Sequence, residues 1–196
     1  MNRIVLASGN RDKLAELNTL LKDLNIEIVP VTSLIPDWEV EEDGQTLEDN
    51  AFKKARDVFR RTGLPAIADD TGLFVDALGG APGIYAARFA GESCSYSDNV
   101  NKLLKALLCE GNRGASFRTA AVYVSNDREI SVTGEVRGTI LESPDGDEGF
   151  GYDPVFLPDE LDVTFARCSS EQKNSISHRA RAIRALRKRL SPLDQD

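Results

Sequence analysis

Residues 66–73, which read Ala-Ile-Ala-Asp-Asp-Thr-Gly-Leu, constrain the fold more than any other stretch of this chain. A short apolar run of this kind predicts a buried strand, and the run ends in two adjacent carboxylates, Asp69 and Asp70. Adjacent side chains on a strand point to opposite faces of the sheet, so Asp69 and Asp70 cannot share one role. The carboxyl ends of strands are also where open α/β sheets bind ligands. A turn that closes a strand explains the same residues, so this stretch alone leaves both interpretations open.

The order of the predicted elements favours an α/β fold with a central mixed twisted sheet flanked by helices. The 196 residues suffice for one domain, residues 1–196, and no repeat or linker divides them. Thr46 and Asp49 resemble a capping box at the start of a helix that Gly63 would end. Hydrophobic periodicity predicts further strands at 3–7, 26–31, 117–125 and 130–140, and helices at 12–24, 47–62 and 177–190.

The turn between the first predicted strand and the first predicted helix can bind an anion. Ser8, Gly9 and Asn10 precede this helix, whose N-terminus offers free backbone N–H groups and the positive end of the helix dipole. Lys13, just inside the helix, would add a point charge. The turn matches neither the Walker A pattern nor Gly-x-Gly-x-x-Gly. A phosphate site and an ordinary strand-to-helix turn therefore remain equal alternatives.

The charges are unevenly distributed. The formal net charge is −8, which argues against a general nucleic-acid binder. Seven acids and no Lys or Arg lie at 37–49, and five acids and no base lie at 142–153. Residues 173–189 carry seven Lys or Arg and the single histidine, His178. Magnesium at an acidic loop and phosphates at the basic helix would explain these runs, and solvated surface faces explain them equally well.

Composition and motif searches exclude several classes of protein. No apolar run approaches the roughly 18 residues that a membrane span needs. The chain begins with a predicted strand, without the basic start and long apolar core of a signal peptide, which predicts a cytoplasmic protein. The three cysteines, Cys94, Cys109 and Cys168, have no metal-ligand spacing and are expected to be reduced thiols. One histidine cannot form a multi-histidine zinc site.

Six short motifs follow one another along nearly the whole chain without a large gap. They are Ser8-Gly9-Asn10-Arg11-Asp12-Lys13 with Glu16; Glu41-Glu42-Asp43-Gly44 with Asp49-Asn50-Ala51; Ala68-Asp69-Asp70-Thr71-Gly72-Leu73; Leu78-Gly79-Gly80-Ala81-Pro82-Gly83-Ile84-Tyr85; Gly149-Phe150-Gly151-Tyr152-Asp153-Pro154; and Glu171-Gln172-Lys173-Asn174-Ser175-Ile176-Ser177-His178-Arg179. Together they resemble the inosine triphosphate pyrophosphatase family, whose members clear deaminated purine nucleotides.

The resemblance implies a fold, an activity and a set of site residues. It implies an elongated architecture of two lobes with a substrate cleft between them, usually as a homodimer that uses magnesium. The reaction it implies is hydrolysis of inosine, deoxyinosine and xanthosine triphosphates to the monophosphate and pyrophosphate. Asp70 would be the catalytic acid-base residue and a metal ligand. The second metal carboxylate is open among Glu39, Glu41 and Glu42, of which we favour Glu42.

The resemblance also assigns the substrate contacts. Thr71 would touch the substrate. The triphosphate would be held by Ser8, Gly9, Asn10, Arg11, Asp12 and Lys13. The nucleoside and base would be held by Phe150, Gly151, Tyr152, Asp153, Lys173, His178 and Arg179.

Two positions depart from the family pattern. Thr71 stands where bacterial members commonly carry serine, which keeps the hydroxyl and adds a methyl group. Glu148 stands where the first glycine of a Gly-Gly pair before Phe150 is more usual, which would stiffen that loop. Two other functions stay open at this point: a related pyrophosphatase acting on other modified nucleotides, and a non-catalytic nucleotide- or RNA-binding module.

Overall fold

A computed structural model describes residues 2–22 and 26–190. The predicted end of the first helix, Leu24, lies outside the described residues. The helices are α1 (Arg11–Leu21), α2 (Leu47–Thr62), α3 (Tyr96–Ala106), α4 (Ser170–Ile176) and α5 (His178–Leu190). The strands are β1 (Asn2–Leu6), β2 (Ile26–Pro30), β3 (Ala66–Val75), β4 (Pro82–Gly83), β5 (Gly114–Val124), β6 (Glu129–Ile140) and β7 (Phe156–Pro158). No helix in the described part of the chain is both long and apolar enough to cross a membrane.

The seven strands of the described chain form one mixed sheet in the order β2-β1-β3-β5-β6-β7, with β4 paired to β3. β1 is parallel to β2 and to β3, whereas β4 is antiparallel to β3 and β7 is antiparallel to β6. This confirms the predicted α/β class and the mixed sheet. The capping box of Thr46 and Asp49 at the start of α2 is confirmed, as is Gly63 at its end, which has a left-handed backbone.

One expectation about β3 is wrong. The strand does not end at the two carboxylates but continues through Asp69 and Asp70 to Val75. Its first residues pair with β1, with Leu6 opposite Ile67, and its last residues pair with β4. β4 pairs further along, at Leu73 and Phe74, and β5 flanks β3 in the sheet, so the polar stretch lies inside a paired strand. The carboxylates therefore lie just beyond the carboxyl end of β1 rather than beyond that of β3.

The described chain divides into two compact units, and β3, β5 and β6 contribute residues to both. The first unit contains the residues up to 70, residues 119–134 and the residues from 179 onward; the second contains residues 71–118 and 135–178. The assignment of 1–196 as a single domain stays a prediction.

In the first unit, helices cover both faces of the sheet. Alternate residues along β1 and the residue that follows it enter two different apolar clusters, as the two-residue period of a strand requires: Ile4 and Leu6 enter one, and Val5 and Ala7 enter the other. α1 and α5 pack on the first cluster, and α2 packs on the second through Ala51, Ala55 and Val58. The polar positions of α2 next to this apolar stripe are thereby brought to the sheet.

The second unit has an apolar cluster of its own. α3 contributes Val100 and Leu103 to it, and Leu107 follows at the end of the helix. The aromatic rings of Phe117, Phe156 and Phe165 contact one another within the cluster. This cluster supports the segment 149–154, because Tyr152 and Val155 are buried in it.

Candidate functional site

Asp69 and Asp70 have separate partners, as strand alternation predicts. Both carboxylates are almost fully buried, at 0% and 6% exposed. Asp69 contacts Lys13 and Arg179, whereas Asp70 contacts Asn50 and Lys54. One strand thus carries two acids into two different electrostatic environments.

Lys13, Glu16, Asp69 and Arg179 form the Asp69 cluster in the first unit. Lys13 Nζ lies 3.2 Å from Asp69 Oδ2 and donates to the Asp69 backbone carbonyl at 3.3 Å. Arg179 Nε donates to the same carboxylate at 3.0 Å, and Arg179 Nη1 donates to Glu16. Burial alone would raise the pKa of Asp69, but the positive charges of Lys13, Arg179 and Lys54 outweigh it and hold that pKa well below its usual range. Burial lowers the pKa of Lys13, and Asp69 opposes this effect.

Glu42, Asn50, Lys54 and Asp70 form the Asp70 cluster, also in the first unit. Lys54 Nζ donates to Asp70 Oδ1 at 3.3 Å and lies 3.1 Å from Glu42 Oε1. Asn50 Nδ2 donates to Asp70 Oδ2 at 3.3 Å. Burial raises the pKa of Asp70, and the positive charge of Lys54 only partly offsets this. Burial would lower the pKa of Lys54, but the carboxylates of Asp70 and Glu42 outweigh it and raise that pKa.

The three candidate metal acids of the acidic loop differ in their surroundings. Glu39 and Glu41 are exposed, and Glu42 is partly buried against Lys54. Glu41 lines a surface cavity of about 480 Å³ together with Val40 and four residues of α2: Lys53, Arg56, Asp57 and Arg60. Among these three acids, Glu42 is the one that shares a cation with Asp70. No group of three or more His, Cys, Asp or Glu in the described chain lies close enough to hold a metal ion.

The turn before α1 is partly closed by its own cap. Asn10 caps α1, and its Oδ1 accepts from the backbone N–H groups of Asp12 at 2.8 Å and Lys13 at 3.2 Å. Ser8 Oγ accepts from the N–H of Asn10 at 3.2 Å. The expectation of open N–H groups is therefore wrong for residues 12 and 13, because an asparagine at this position satisfies them itself. Gly9, Arg11 and Asp12 are exposed, and Lys13 reaches back into the Asp69 cluster.

Phe150, Asp153 and Lys173 form the Phe150 cluster in the second unit. Asp153 Oδ2 accepts from the backbone N–H of Phe150 at 2.9 Å and from Lys173 Nζ at 2.7 Å. The same ammonium lies 4.6 Å from the centroid of the Phe150 ring, in cation–π geometry. Gly149 has a φ of 75°, and a Cβ there would overlap Asp153 Oδ2. The carboxylate of Asp153 thus holds both the backbone at Phe150 and the ammonium of Lys173 in place.

The remaining predicted residues lie in several settings. Tyr152 is buried in the apolar cluster, and its hydroxyl donates to the Ala86 carbonyl at 2.9 Å. His178 is 3% exposed and stacks on Phe117 with ring centroids 4.7 Å apart. Thr71 and Gly151 are half-buried. Arg179, predicted to hold the base, is 2% exposed in the Asp69 cluster; its role at the base stays a prediction.

Sequence reasoning gave no role to Asn50 or Lys54, although both contact Asp70. They lie four residues apart on α2 and so share one helical face, beside the apolar stripe of Ala51, Ala55 and Val58. A polar pair at this spacing next to a buried stripe was the available signal. It identifies the face of α2 but not the strand residue that this face meets.

Comparisons with known proteins agree with the motifs. The Ham1 family matches residues 4–189. A dITP/XTP pyrophosphatase of Yersinia pseudotuberculosis is 45% identical, over 95% of this chain and 96% of that protein. One of Geobacter sulfurreducens is 45% identical, over 97% of each chain. The structure of the Staphylococcus aureus Ham1 protein is similar at a TM-score of 0.89 and 40% identity, and the match covers 98% of this chain and 100% of that one. The resemblance carried by the six motifs is thereby confirmed, and the chain belongs to the Ham1 family.

Proposed function

We propose that this protein hydrolyses deaminated purine nucleoside triphosphates (ITP, dITP and XTP) to the nucleoside monophosphate and pyrophosphate, which keeps them out of DNA and RNA. The observation that carries the proposal is the match, over nearly the full length of both chains, to proteins named dITP/XTP pyrophosphatases at about 45% identity. The Asp69, Asp70 and Phe150 clusters supply side chains suited to the phosphate, the attacking water and the base.

The triphosphate carries about four negative charges, so its cleavage depends more on positioning and charge neutralisation than on a covalent intermediate. In our proposal Lys13 and the N-terminal dipole of α1 bind the phosphates that leave as pyrophosphate. Asp69 holds the Lys13 ammonium in place by two contacts. The side chain of Lys13 is 15% exposed, so it retains some access to a ligand.

Asp70 is the group that we assign to the attacking water. A carboxylate whose pKa is raised is a stronger base than an ordinary aspartate, and burial raises the pKa of Asp70. A base of this kind can orient a water and accept its proton as the bond to the α-phosphate forms. Lys54 and Asn50 fix the two carboxylate oxygens from one side. No nucleophilic side chain is needed for this reaction.

We propose magnesium as the cofactor, held by Asp70 and Glu42. Both carboxylates reach the same ammonium, that of Lys54, so both are aimed at one position where a cation is favoured. Magnesium prefers oxygen ligands and is commonly bound by one or two carboxylates together with substrate phosphates and waters, so two acids fit it. When bound, it would neutralise phosphate charge and lower the pKa of a coordinated water.

The Phe150 cluster is our candidate for the base. An aromatic ring stacks on a purine, and Lys173 over the Phe150 ring adds a positive charge next to that surface. Hypoxanthine and xanthine present a carbonyl at position six, where adenine presents an amino group. A site that offers donors there, from His178, Arg179 or backbone N–H groups, would leave buried donors unpaired against adenine, a loss of about 1–3 kcal/mol for each group. Guanine would have to be rejected through its amino group at position two.

A nucleotide panel tests the proposed function. The protein is assayed with magnesium on ITP, XTP, ATP, GTP and modified pyrimidine and methylated triphosphates, with pyrophosphate measured separately from phosphate. We expect kcat/KM for ITP and XTP to exceed that for ATP and GTP by at least about 10²-fold. Preference for a modified pyrimidine or methylated nucleotide would instead indicate the related pyrophosphatase. Absence of turnover with steeply salt-dependent RNA binding would indicate the binding module.

We further propose a homodimer acting in the cytosol, without nucleic acid or membrane as partner. The family resemblance supports the dimer, and the net charge of −8 disfavours nucleic acid. Light scattering on the purified protein, with and without ITP, measures the mass of the assembly. A monomer at micromolar concentration in both conditions would contradict the dimer.

A further inference from the structure

Asn50 connects the acidic loop to the catalytic strand. It lies in the first turn of α2 and is 1% exposed. Its Oδ1 accepts from the backbone N–H of Gly44 at 2.8 Å, and its Nδ2 donates to Asp70 Oδ2 at 3.3 Å. A single buried amide therefore joins the loop segment that carries Glu42 to the carboxylate of Asp70.

The chemistry of the two neighbours leaves this amide only one orientation. The N–H of Gly44 can only donate, so it requires the amide oxygen, and the carboxylate of Asp70 requires the amide nitrogen. The backbone of the loop also approaches α2 very closely at Gly44. A Cβ at residue 44 would lie 2.6 Å from Asn50 Oδ1 and 2.7 Å from Asp49 Cβ, so a side chain at that position would push the loop away from α2.

Lys54 extends the same connection one helical turn further along α2. It contacts Glu42 from the loop and Asp70 from β3, so loop and strand are joined twice by one helical face. The two links differ in kind. Lys54 is a point charge that a bound cation would compete with, whereas the Asn50 amide is neutral and its two hydrogen bonds are directional.

We propose that Asn50 is a positioning residue for the pyrophosphatase reaction: it holds the Asp70 carboxylate and the Glu42 loop in register, so that both acids address one magnesium ion. This inference rests on the proposed function. Asn50 itself touches neither substrate nor metal in this role. It acts through the orientation of Asp70 and the position of residues 42–44.

A buried asparagine can also be needed for stability alone, and the chain offers a matched control for that. Asn99 in α3 is 2% exposed; its Oδ1 accepts from the N–H of Ala90 at 2.7 Å and its Nδ2 donates to the Ala87 carbonyl at 3.0 Å. Asn99→Ala thus removes a buried bridging amide whose partners Ala87, Ala90 and Cys94 all belong to the second unit. It reports the loss of stability without disturbing Asp70.

Two variants of Asn50 separate its two bonds. Asn50→Asp keeps an oxygen for the N–H of Gly44 but places a second carboxylate oxygen against Asp70. Asn50→Ala removes both bonds. Hydrogen exchange of the Gly44 amide, measured by NMR, reports the loop, since an amide that loses its acceptor exchanges faster. Calorimetric titration measures the affinity for magnesium in the absence of turnover, and kcat for ITP shows whether the Asp70 carboxylate still acts in the reaction.

We expect Asn50→Ala to speed exchange at Gly44, weaken magnesium binding and lower kcat, the last two by about 10- to 100-fold, the range typical of residues that orient metal ligands. Asn50→Asp should keep Gly44 protected and still lower kcat by a similar factor. Asn99→Ala should change magnesium affinity and kcat by less than about twofold, as a residue outside the site does. If Asn50→Ala matches Asn99→Ala in magnesium affinity and kcat while the parent protein cleaves ITP, Asn50 is only structural and this inference is overturned. A parent protein that cleaves none of the triphosphates overturns the proposed function instead.

Discussion

Arg179→Met should destabilise the protein far more than a matched change at the surface. The guanidinium of Arg179 and the carboxylate of Asp69 are 2% and 0% exposed, and Glu16, the second partner, is 15% exposed. Removing Arg179 takes away one of the two cations that contact this buried carboxylate and leaves Lys13. Breaking a buried ion pair in this way costs roughly 3–5 kcal/mol. Arg56→Met is the control. Arg56 makes two good hydrogen bonds to Glu129, but the partners are 56% and 40% exposed, and exposed pairs contribute about 0–1 kcal/mol.

Urea unfolding at pH 7 measures both variants as a change in midpoint at constant m-value. The pH dependence checks the assignment to Asp69. The pKa of Asp69 is lower in the folded protein than its ordinary value of 3.8. Its ion pairs therefore stabilise the fold fully at a pH above 3.8, and this stabilisation is lost as the pH falls from 3.8 through the folded pKa. Without Arg179, the effect of burial on the pKa of Asp69 is opposed by Lys13 and Lys54 only, and Asp69 takes up a proton at higher pH. The stability gap between parent and variant should therefore shrink as pH falls.

Two results would refute this reasoning. The first is a loss for Arg179→Met no larger than that for Arg56→Met. The second is a stability gap that widens at acid pH. Adding Asp69→Asn to Arg179→Met removes the buried carboxylate that has lost Arg179 and should restore part of the lost stability, which a double-mutant cycle measures as a coupling between the two positions.

The other predictions concern the remaining clusters. Asp70→Asn should lower kcat for ITP by about 10²-fold or more in a protein that remains folded, because the base is lost while the shape is kept; near-normal turnover would contradict the role of Asp70. Excess chelator should abolish ITP turnover and added magnesium should restore it; full activity in chelator would exclude the magnesium proposal. Gly149→Ala should raise KM for ITP by a much larger factor than Gly151→Ala does. Both glycines have positive φ, but only a Cβ at 149 would displace Asp153, so equal effects at both positions would point to backbone strain alone.

Much of the fold was predictable because its signals are local. The α2 boundaries follow from the capping box of Thr46 and from Gly63, and the hydrogen bonds of both caps join residues only three or four positions apart. The length of β3 was not predictable in this way. Thr71 and Gly72 read as a turn, but β3 continues through them: β5 flanks the strand in the sheet, and the distant Pro82–Gly83 (β4) pairs with it at Leu73 and Phe74. Tertiary pairing overrides local turn chemistry here.

The same division holds for the site. The alternation of β3 correctly separated Asp69 from Asp70, since it depends on the strand alone. The partners of each acid depend on which helix face meets the strand: α1 and α5 bring Lys13 and Arg179 to Asp69, and α2 brings Asn50 and Lys54 to Asp70. Contacts of 16 to 110 residues in sequence separation are set by packing, so the sequence could name the acids but not their neighbours.

The opposite pKa directions of Asp69 and Asp70 follow from the number of cations that contact each buried carboxylate. Asp69 has two, Lys13 at 3.2 Å and Arg179 at 3.0 Å, and they outweigh the effect of burial. Asp70 has Lys54 at 3.3 Å, which it shares with Glu42, and burial prevails. Two titratable groups whose surroundings push their pKa values apart are suited to different tasks. Asp69 therefore suits a permanently ionised anchor for Lys13, and Asp70 suits a group that accepts a proton during the reaction.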